Sequence, residues 1–390
     1  PLSNTTITIS ASNDQNKILS ETITNDSGQS DIMELEAPPL EYSLEPGSPM
    51  PYGEYTLTSK QKGFDPIIIN NIQILPDVIA EQNVYMKKPK NMPTKDLIFN
   101  IPPHTLYKEY PPKIPESPIK ELPRPTGFVV LPDVVVPEFI VVHDGDPNDD
   151  NAPNYWVPYK DYIKNVLSCE VYATWPQDAL RANTLVVISF TLNRVYTEWY
   201  RSRGKNFTIT SSTAYDQKFV YQRNIFQEIS NIVDEIFPTY ITKPNIKQPL
   251  FTQYCDGKNV TCPGWLEQWQ SKSLAEKGTG YMDILRTYYG SEIFLETATQ
   301  VTGVPVSFPG EVLQSGSTGE AVSTIQRQLN SISNNYPAIN KIAVDGIYCQ
   351  STIDAVKKFQ EVFGLSQTGS VDYSTWYQIS KIYIATERLT

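Results

Sequence analysis

Residues 159–182 read YKDYIKNVLSCEVYATWPQDALRA, and this stretch decides the fold of the middle of the chain. Tyr159–Val171 has the spacing of a helix. Trp175 and Pro176 mark the start of a second helix, because proline is tolerated in a first helical turn. The second helix is predicted to run to about Ser202, with apolar side chains at spacings of three and four that form one buried stripe. The stripe consists of Leu185, Ile188, Leu192, Val195 and Trp199.

The flanking sequence extends this unit to residues 128–305. Phe128–Val136 and Phe139–Val142 are rich in valine and are predicted to be strands. Asn224–Phe237 and Ser271–Tyr289 are predicted to be helical. Strands followed by helices of this kind indicate a mixed α/β domain.

The amino-terminal residues 1–88 have a different pattern. Thr5–Ser10 alternates polar and apolar residues, and the turn Asn25–Gly28 separates two strands of this kind. Several short strands without helical periodicity predict a small β-sandwich. The chain begins at Pro1 and not at methionine, so we expect further residues upstream.

Residues 89–127 contain ten prolines. Proline fixes φ and lacks a backbone donor, so this segment is expected to be an extended, exposed linker without a core of its own. An exposed tether is a natural protease site, although it can equally be a simple spacer. If it is processed, the boundary is expected just before Phe128–Leu131.

Residues 306–390 are predicted to form a separate unit of three helices, punctuated by glycines. The predicted fold class is therefore multidomain α+β. Its parts are the β-sandwich of residues 1–88, the proline-rich linker of residues 89–127, the mixed α/β domain of residues 128–305 and the helical unit.

Composition excludes several functions. The 390 residues include 43 acidic and 32 basic side chains, for a formal net charge of −11, so no basic surplus exists to bind nucleic acid. No apolar run reaches the roughly 20 residues that a membrane helix needs. His104 and His143 are the only histidines, too few for a multi-histidine zinc site. Any enzyme chemistry is expected to rely on carboxylates.

Glu170 is the strongest candidate for such a carboxylate. It ends a helix of apolar residues and is followed by Val171, Tyr172 and, after two residues, Trp175. An acid that cleaves a glycosidic bond must deliver a proton to the leaving oxygen, and a partly dry, aromatic environment favours this role. From the sequence alone, a surface glutamate at a helix end is the more common alternative.

The carboxy-terminal unit resembles the peptidoglycan-binding type 1 domain, which implies a fold that holds cell-wall polymer. The resemblance covers about 75 residues. It rests on Leu313-x-x-Gly316-x-x-Gly319-x-x-Val322-x-x-Ile325-Gln326-x-x-Leu329-Asn330 and on Asp345-Gly346-x-Tyr348-x-x-x-Thr352-x-x-Ala355-Val356-x-x-Phe359-Gln360.

The middle region resembles the SpoIID/LytB family of lytic transglycosylases. The matching residues are Tyr162-Ile163-x-x-Val166-x-x-x-Glu170-Val171-x-x-x-Trp175-Pro176-x-x-Ala179-Leu180-x-Ala182, followed by Gln268-Trp269-x-x-x-x-Leu274-Ala275-x-x-Gly278. This resemblance implies that Glu170 is the catalytic acid and base. It also implies a 1,6-anhydromuramic product and a reaction that requires no cofactor.

Four further residues are candidates for substrate binding. Gln268 and Trp269 lie in the matching closing segment, and Gln217 and Tyr254 have side chains that commonly stack on sugars or bond to them. The alternative for Gln217 and Tyr254 is an ordinary place in a core or turn.

Cys255 and Cys262 are separated by six residues. Some relatives hold zinc near such a pair, but two thiolates without a nearby histidine do not complete a tetrahedral site. A disulfide or two free thiols is therefore favoured over zinc.

Taken together, the order of the parts resembles that of the clostridial spore cortex-lytic enzymes. In the amino-terminal part, Tyr55-x-Leu57 and Lys62-Gly63-Phe64 resemble the carboxypeptidase-regulatory sandwich, a spacer or inhibitory module. The resemblance implies an extracytoplasmic enzyme of the spore cortex or coat region that degrades cortex peptidoglycan in germination. It also implies a zymogen that a subtilisin-like protease activates.

Two alternatives stay open at this stage. One is a wall-binding structural spore protein with a decayed middle domain, and the other is an amidase, which the shortage of histidine disfavours. The enzymatic interpretation requires that the Glu170 carboxyl face a groove that admits a polysaccharide. A carboxyl that points into bulk solvent away from any groove, or one sealed inside the protein without access, would rule out the enzymatic interpretation and leave only the wall-binding one.

Overall fold

A computed structural model describes residues 2–89, 95–107, 110–121, 134–300, 309 and 311–387. The expected processing boundary at Phe128–Leu131 lies outside these residues. Among the described helices, none is both long and apolar enough to cross a membrane.

The amino-terminal region is built around one twisted sheet of five strands in the order β2-β1-β3-β4-β6. β1, β2, β3 and β4 pair with antiparallel neighbours, whereas β6 joins β4 in parallel. The strands of this region are β1 (Thr6–Ala11), β2 (Asp14–Ile23), β3 (Gly53–Lys60), β4 (Ile67–Ile74), β5 (Ala80–Glu81) and β6 (Leu97–Asn100), with a 3₁₀ helix at Leu40–Ser43 between β2 and β3.

The prediction of a β-sandwich is corrected here, because the described residues of this region form a single principal sheet. Alternating side chains such as Ile7, Ile9 and Ile69 bury one face. Irregular segments that carry Met33 and Met86 pack against that face, where a second sheet was expected. The segment predicted as linker supplies β6, so the sheet extends beyond residue 88.

The middle region contains short strands around a helical core. Its strands are β7 (Val135–Val136), β8 (Phe139–His143), β9 (Asn154–Pro158), β10 (Ile209–Thr210), β11 (Ile225–Phe226), β12 (Thr239–Thr242), β13 (Tyr254–Cys255), β14 (Leu266–Glu267), β15 (Phe294–Thr297) and β16 (Thr299–Gln300). Its α-helices are α1 (Tyr159–Glu170), α2 (Gln177–Tyr196), α3 (Gln227–Ile236), α4 (Gln268–Glu276) and α5 (Tyr281–Tyr289), and Arg201–Arg203 is a 3₁₀ turn.

α2 is the central element of this region. It packs against α1, α3, α4, α5 and β12, and it is buried on nearly every side. The prediction of one buried stripe was therefore too narrow, and Trp199 lies beyond the end of the helix at Tyr196. The predicted helix Ser271–Tyr289 is divided into α4 and α5, because Gly278 adopts a left-handed conformation with φ of +83°.

The amino-terminal and middle regions share one apolar core. Tyr52, Leu75 and Leu106 belong to the same buried cluster as α1 and α2. β5 pairs with β11 across the two regions, and the Asn224 side chain bonds to both backbone groups of Gln73. The sheet is thus docked on the middle region and is not a separate domain on a tether.

The carboxy-terminal unit has the three predicted helices, α6 (Glu320–Asn335), α7 (Gln350–Val362) and α8 (Tyr373–Glu387). Two buried glutamines order its loops. Gln326 accepts from the backbone N–H of Asp345 and Gly346, and Gln360 accepts from that of Gly369. These contacts explain the motif residues as fold determinants.

Candidate functional site

Glu170 is the last residue of α1, and its side chain points inward. Val166 and Leu167 on the preceding turn are buried, and Val171 ends the helix in an extended conformation. As a result the Glu170 side chain enters the core of the middle region and has no exposed surface. The predicted apolar surroundings of this carboxyl are present.

Three groups of the middle region bond to Glu170. Its Oε1 accepts from the backbone N–H of Lys218 at 2.9 Å and from the Tyr254 hydroxyl at 3.2 Å. Gln268 Nε2 donates to the backbone oxygen of Glu170 at 3.0 Å and to its Oε2 at 3.3 Å. Burial, followed by the charge of Glu170, raises the pKa of Tyr254 well above its usual value, so its hydroxyl stays a donor. The carboxyl is held in one orientation.

Residues 110–121, here called the strap, cover this site. Tyr110 is buried against the pair Cys255 and Cys262, and its pKa is raised by burial and then by the charges of Glu170 and Asp256. The structure therefore closes Glu170 beneath a segment that precedes the middle region in the chain.

Lys113 is the second strap residue at the site. Its Nζ lies 4.3 Å from the centre of the Tyr254 ring and donates to the backbone oxygen of Asp216 at 2.7 Å. Burial lowers the pKa of Lys113 to about 8, although the nearby charge of Glu170 opposes the shift. A cation and an aromatic ring thus lie together above the carboxyl.

The expectation of an exposed linker is contradicted for the described part of residues 89–127. His104, Tyr110, Lys113 and Lys120 are each more than 90% buried. The prediction rested on composition, because proline lacks a backbone donor. In the structure, the N–H groups of Glu116 and Lys120 pair with the middle region, and strap side chains pack on an aromatic surface there.

A groove of about 790 Å³ lies beside the covered carboxyl. Trp269 lines it together with Lys218, whose backbone N–H donates to Glu170. Lys258 and Asn259 add polar side chains, and residues 102–107 form part of the wall. The groove therefore borders the site, but Glu170 has no exposed surface toward it, so this conformation meets the condition that rules out catalysis until the carboxyl is uncovered.

The structure brings three of the four predicted substrate-binding residues to this site. Tyr254 and Gln268 contact Glu170 directly, and Trp269 lines the groove, packed 5.0 Å from the Trp175 ring. Gln217 does not reach the groove. It is fully buried, and its amide bonds to side chains and backbone of the core around α2.

Cys255 and Cys262 form a disulfide. Among the described residues, no three His, Cys, Asp or Glu side chains gather as metal ligands. Both sulfurs are bonded to each other, so this pair does not fit a zinc site. The disulfide closes the loop in which Asp256 accepts three backbone N–H groups.

Sequence reasoning missed Tyr110, Lys113 and the backbone of Lys218. A signal existed: aromatic and charged residues recur between the prolines of the strap, a pattern that a solvated spacer does not need. The ring nitrogens of the two histidines bond to groups other than the Glu170 carboxyl: His104 bonds to Val171 and Leu106, and His143 bonds to Asn154 and Asp146. His104 stacks 4.3 Å from Tyr172, and burial lowers its pKa well below the usual value.

Two segments of the chain match known protein families. Residues 152–236 match the Stage II sporulation protein family (SpoIID), and residues 318–379 match a peptidoglycan binding domain family. The chain therefore contains a segment similar to SpoIID and, after it, a helical segment similar to a peptidoglycan binding domain.

One similar solved structure is described as the crystal structure of SleB N-terminal domain. It is 32% identical over 19% of this chain and 93% of its own length, with a TM-score of 0.17. No curated protein matches the chain.

Proposed function

We propose that this protein is a lytic transglycosylase that cleaves spore cortex peptidoglycan during germination and is made as a zymogen activated by proteolysis. One observation carries the proposal: the fully buried carboxyl of Glu170 lies within the SpoIID-matching residues and is oriented by Tyr254, Gln268 and the N–H of Lys218. The order of the domains resembles that of the clostridial cortex-lytic enzyme SleC.

The chemistry needs one carboxyl group in two states. As the acid, Glu170 gives its proton to the glycosidic oxygen while the bond from the anomeric carbon to that oxygen breaks. As the base, the resulting carboxylate takes the proton of the muramic acid 6-hydroxyl, whose oxygen attacks the anomeric carbon. The product carries a 1,6-anhydro end, no water enters, and the carboxyl is protonated again.

The covered state of Glu170 supports the zymogen part of the proposal. The carboxyl has no exposed surface, so this conformation does not admit substrate. Strap residues Tyr110 and Lys113 lie near enough to Glu170 for its charge to affect their pKa values. The strap precedes the SpoIID match, so a cut near Phe128–Leu131 would break its covalent connection to the middle region and allow substrate to displace it. A subtilisin-like protease is the proposed activator.

The peptidoglycan-binding domain would hold the enzyme on its insoluble substrate. We therefore propose an extracytoplasmic place in the spore cortex or coat region, with cortex peptidoglycan as the partner. No cofactor is required by the proposed chemistry, since proton transfer and intramolecular attack suffice.

A non-catalytic wall-binding protein is the second candidate. The observation that favours it is that both Glu170 oxygens already bond to the protein, as in a structural carboxylate. The two candidates differ in what happens once the strap is removed.

Mass spectrometry of cortex digested with the protease-cut protein separates the candidates. Release of 1,6-anhydromuramic ends supports the transglycosylase, and no release supports the wall-binding protein. Freed stem peptides would instead indicate an amidase. Glu170→Gln is expected to reduce release about 10²- to 10⁴-fold, because it removes the transferable proton.

A further inference from the structure

The strap lies along a continuous row of aromatic side chains that starts beside Glu170. The ring centres of Tyr254 and Phe190 are 6.4 Å apart, and those of Phe190 and Phe251 are 4.3 Å apart. The Arg194 guanidinium lies 4.3 Å from the Phe251 ring and 4.9 Å from the Trp199 ring, which extends the row. Aromatic rows of this kind are suited to stacking on sugar rings.

Two strap cations lie on this row. Lys113 Nζ lies 4.3 Å from the Tyr254 ring, and Lys120 Nζ lies 3.9 Å from the Phe251 ring and 4.4 Å from the Trp199 ring. Burial lowers the pKa of Lys120 to about 8. The strap therefore covers the row from the acid to its far end.

Arg194 binds the carboxylate of strap residue Glu116 at two points. Its NH2 donates to Glu116 Oε1 at 2.6 Å and its NH1 to Oε2 at 3.1 Å, while its Nε donates to Asp216 Oδ1 at 2.7 Å. Asp216 thus holds the guanidinium from within the middle region. The opposite edge of Arg194 is left for a second carboxylate, in the geometry that arginine uses to recognise such groups.

Two buried glutamines of the middle region recognise amide groups of the strap. Gln253 accepts from the N–H of Glu116 and donates to the backbone oxygen of Ile114, each at 2.8 Å. Gln248 accepts from the N–H and donates to the backbone oxygen of Lys120, each at 2.9 Å. Without the strap, both carboxamides would lose these partners, which is unfavourable unless a ligand replaces them.

We propose that the strap occupies the substrate trough, and that Arg194, Gln253 and Gln248 are substrate-binding groups beneath it. The ligand class is a polymer that carries both amides and carboxylates, as peptidoglycan strands with N-acetyl groups and stem peptides do. Arg194 takes a carboxylate, and the glutamines take amide groups. This inference rests on the proposed function and names the part of the substrate that each group binds.

The distance along the strap from Tyr110 to Glu116 places this binding surface away from the bond that is cleaved. Tyr110 packs in the cluster beside Glu170, and Glu116, six residues later, binds Arg194. Six extended residues span at most about 20 Å, so the carboxylate subsite lies up to that distance from the acid. The trough therefore binds substrate well beyond the sugar at which cleavage occurs.

Hydrogen exchange of the protease-cut protein, which keeps every part of the chain, tests this inference. Glu170→Gln is included to prevent turnover, and soluble peptidoglycan strands with free stem peptides are the probe. We expect the N–H groups of Ile114, Glu116 and Lys120 to lose protection as the strands displace the strap. Chitin oligosaccharides, which carry acetamido groups but no carboxylate, are expected to displace it at concentrations at least about tenfold higher.

A matched pair of variants tests the carboxylate of Glu116, which accepts from Arg194 and also from strap residue Lys120. Glu116→Gln removes the charge of the strap carboxylate and should lower the strand concentration for half-displacement about 10- to 100-fold, as expected for a hydrogen bond to a charged group. Glu121→Gln changes an exposed residue of the same strap and should leave that concentration unchanged.

Two results would overturn the inference. One is full protection of the strap at strand concentrations that saturate the C-terminal domain. The other is the same strand concentration for half-displacement of the strap in Glu116→Gln and in Glu121→Gln. Release of 1,6-anhydro ends while the strap stays protected would reject this trough and leave the proposed function standing. Displacement of the strap by strands, with no cleavage by the protein that retains Glu170, would support this trough and reject the proposed function.

Discussion

At the scale of single residues, the site depends on how Glu170 is held. Tyr254, Gln268 and the N–H of Lys218 fix the carboxyl from three sides, and each is supplied by a different segment of the middle region. Such contacts are expected to keep the proton donor aligned with the bond it cleaves. Tyr254 and Gln268 are therefore expected to position the carboxyl, while the ring of Tyr254 also begins the aromatic row.

Tyr254→Phe tests this role. It removes the hydroxyl that donates to Glu170 Oε1 and keeps the ring, so the protease-cut enzyme should release anhydro ends about 10- to 100-fold more slowly. Tyr348→Phe is the control, since its hydroxyl bonds to Gly369 in the C-terminal domain. Equal rates for both variants would reject the role.

The position of Glu170 could be predicted because it depends on local signals. The apolar spacing of α1 and the Trp175-Pro176 pair place the helix end correctly to within one residue. The place of Gln217 could not be predicted, because its partners Tyr162 and Thr191 are distant in sequence. Polar type alone does not distinguish a buried amide from one that binds a ligand.

At the scale of elements, the strap and the five-stranded sheet are held by buried polar contacts. The strap is rich in proline and has few donors, but the N–H groups of Glu116, Lys120 and Ile114 are paired with Gln253, Gln248 and Ala214 respectively. Tertiary pairing of this kind leaves little trace in composition. This is why an exposed linker was predicted for a segment that is buried.

The ionisation of Lys113 should make strap closure depend on pH. Its pKa is about 8 in the closed state against 10.5 when free, so the closed state binds fewer protons between these values. Stability should therefore rise with pH across this window. Lys113→Met removes the effect. In denaturant unfolding, the free energy of unfolding of the parent should therefore rise by about 2 kcal/mol relative to that of the variant between roughly pH 7.5 and 9.5. The exposed Lys62→Met serves as control, and a parent–variant difference that stays constant with pH would contradict the prediction.

The docking of the sheet depends on Asn224, whose side chain bonds to the N–H and the C=O of Gln73 in β4. Asn224→Ala leaves both buried backbone groups without these partners and should lower the free energy of unfolding by about 2–4 kcal/mol. Asn151→Ala, at an exposed turn, should have an effect within about 0.5 kcal/mol. Denaturant titration of both variants measures the difference. Equal stabilities would mean that the sheet is docked by other contacts.

At the scale of the whole molecule, the amino-terminal region and the middle region form one core. Tyr52 and Leu106 lie in the same apolar cluster as α2, and β5 pairs with β11. The sequence indicated a chain of separable modules, because module boundaries were inferred from composition. The three C-terminal helices form where the sequence predicted them, since their motif is local and repeated around Gln326 and Gln360. Their apolar cluster also includes Val141, Tyr200 and Phe207 of the middle region, so this unit is packed against its neighbour.

A cut between residues 121 and 134 should therefore not separate the pieces by itself. The contacts of the strap and the sheet persist after a single peptide bond is broken, so the cut protein is expected to elute as one particle in size-exclusion chromatography. Addition of soluble peptidoglycan strands should increase exchange in the strap. Immediate dissociation into two pieces on cutting would show that these contacts depend on chain continuity.

The central claim is that Glu170 is a proton donor which the strap covers until proteolysis. The most direct measurement compares the anhydromuramic ends released from cortex by intact and protease-cut protein, each prepared as the parent chain and as the Glu170→Gln variant. We expect release by the cut parent protein, and at least about 10²-fold less by the other three samples. Equal release by the cut Glu170→Gln variant, or none by any sample, would contradict the claim.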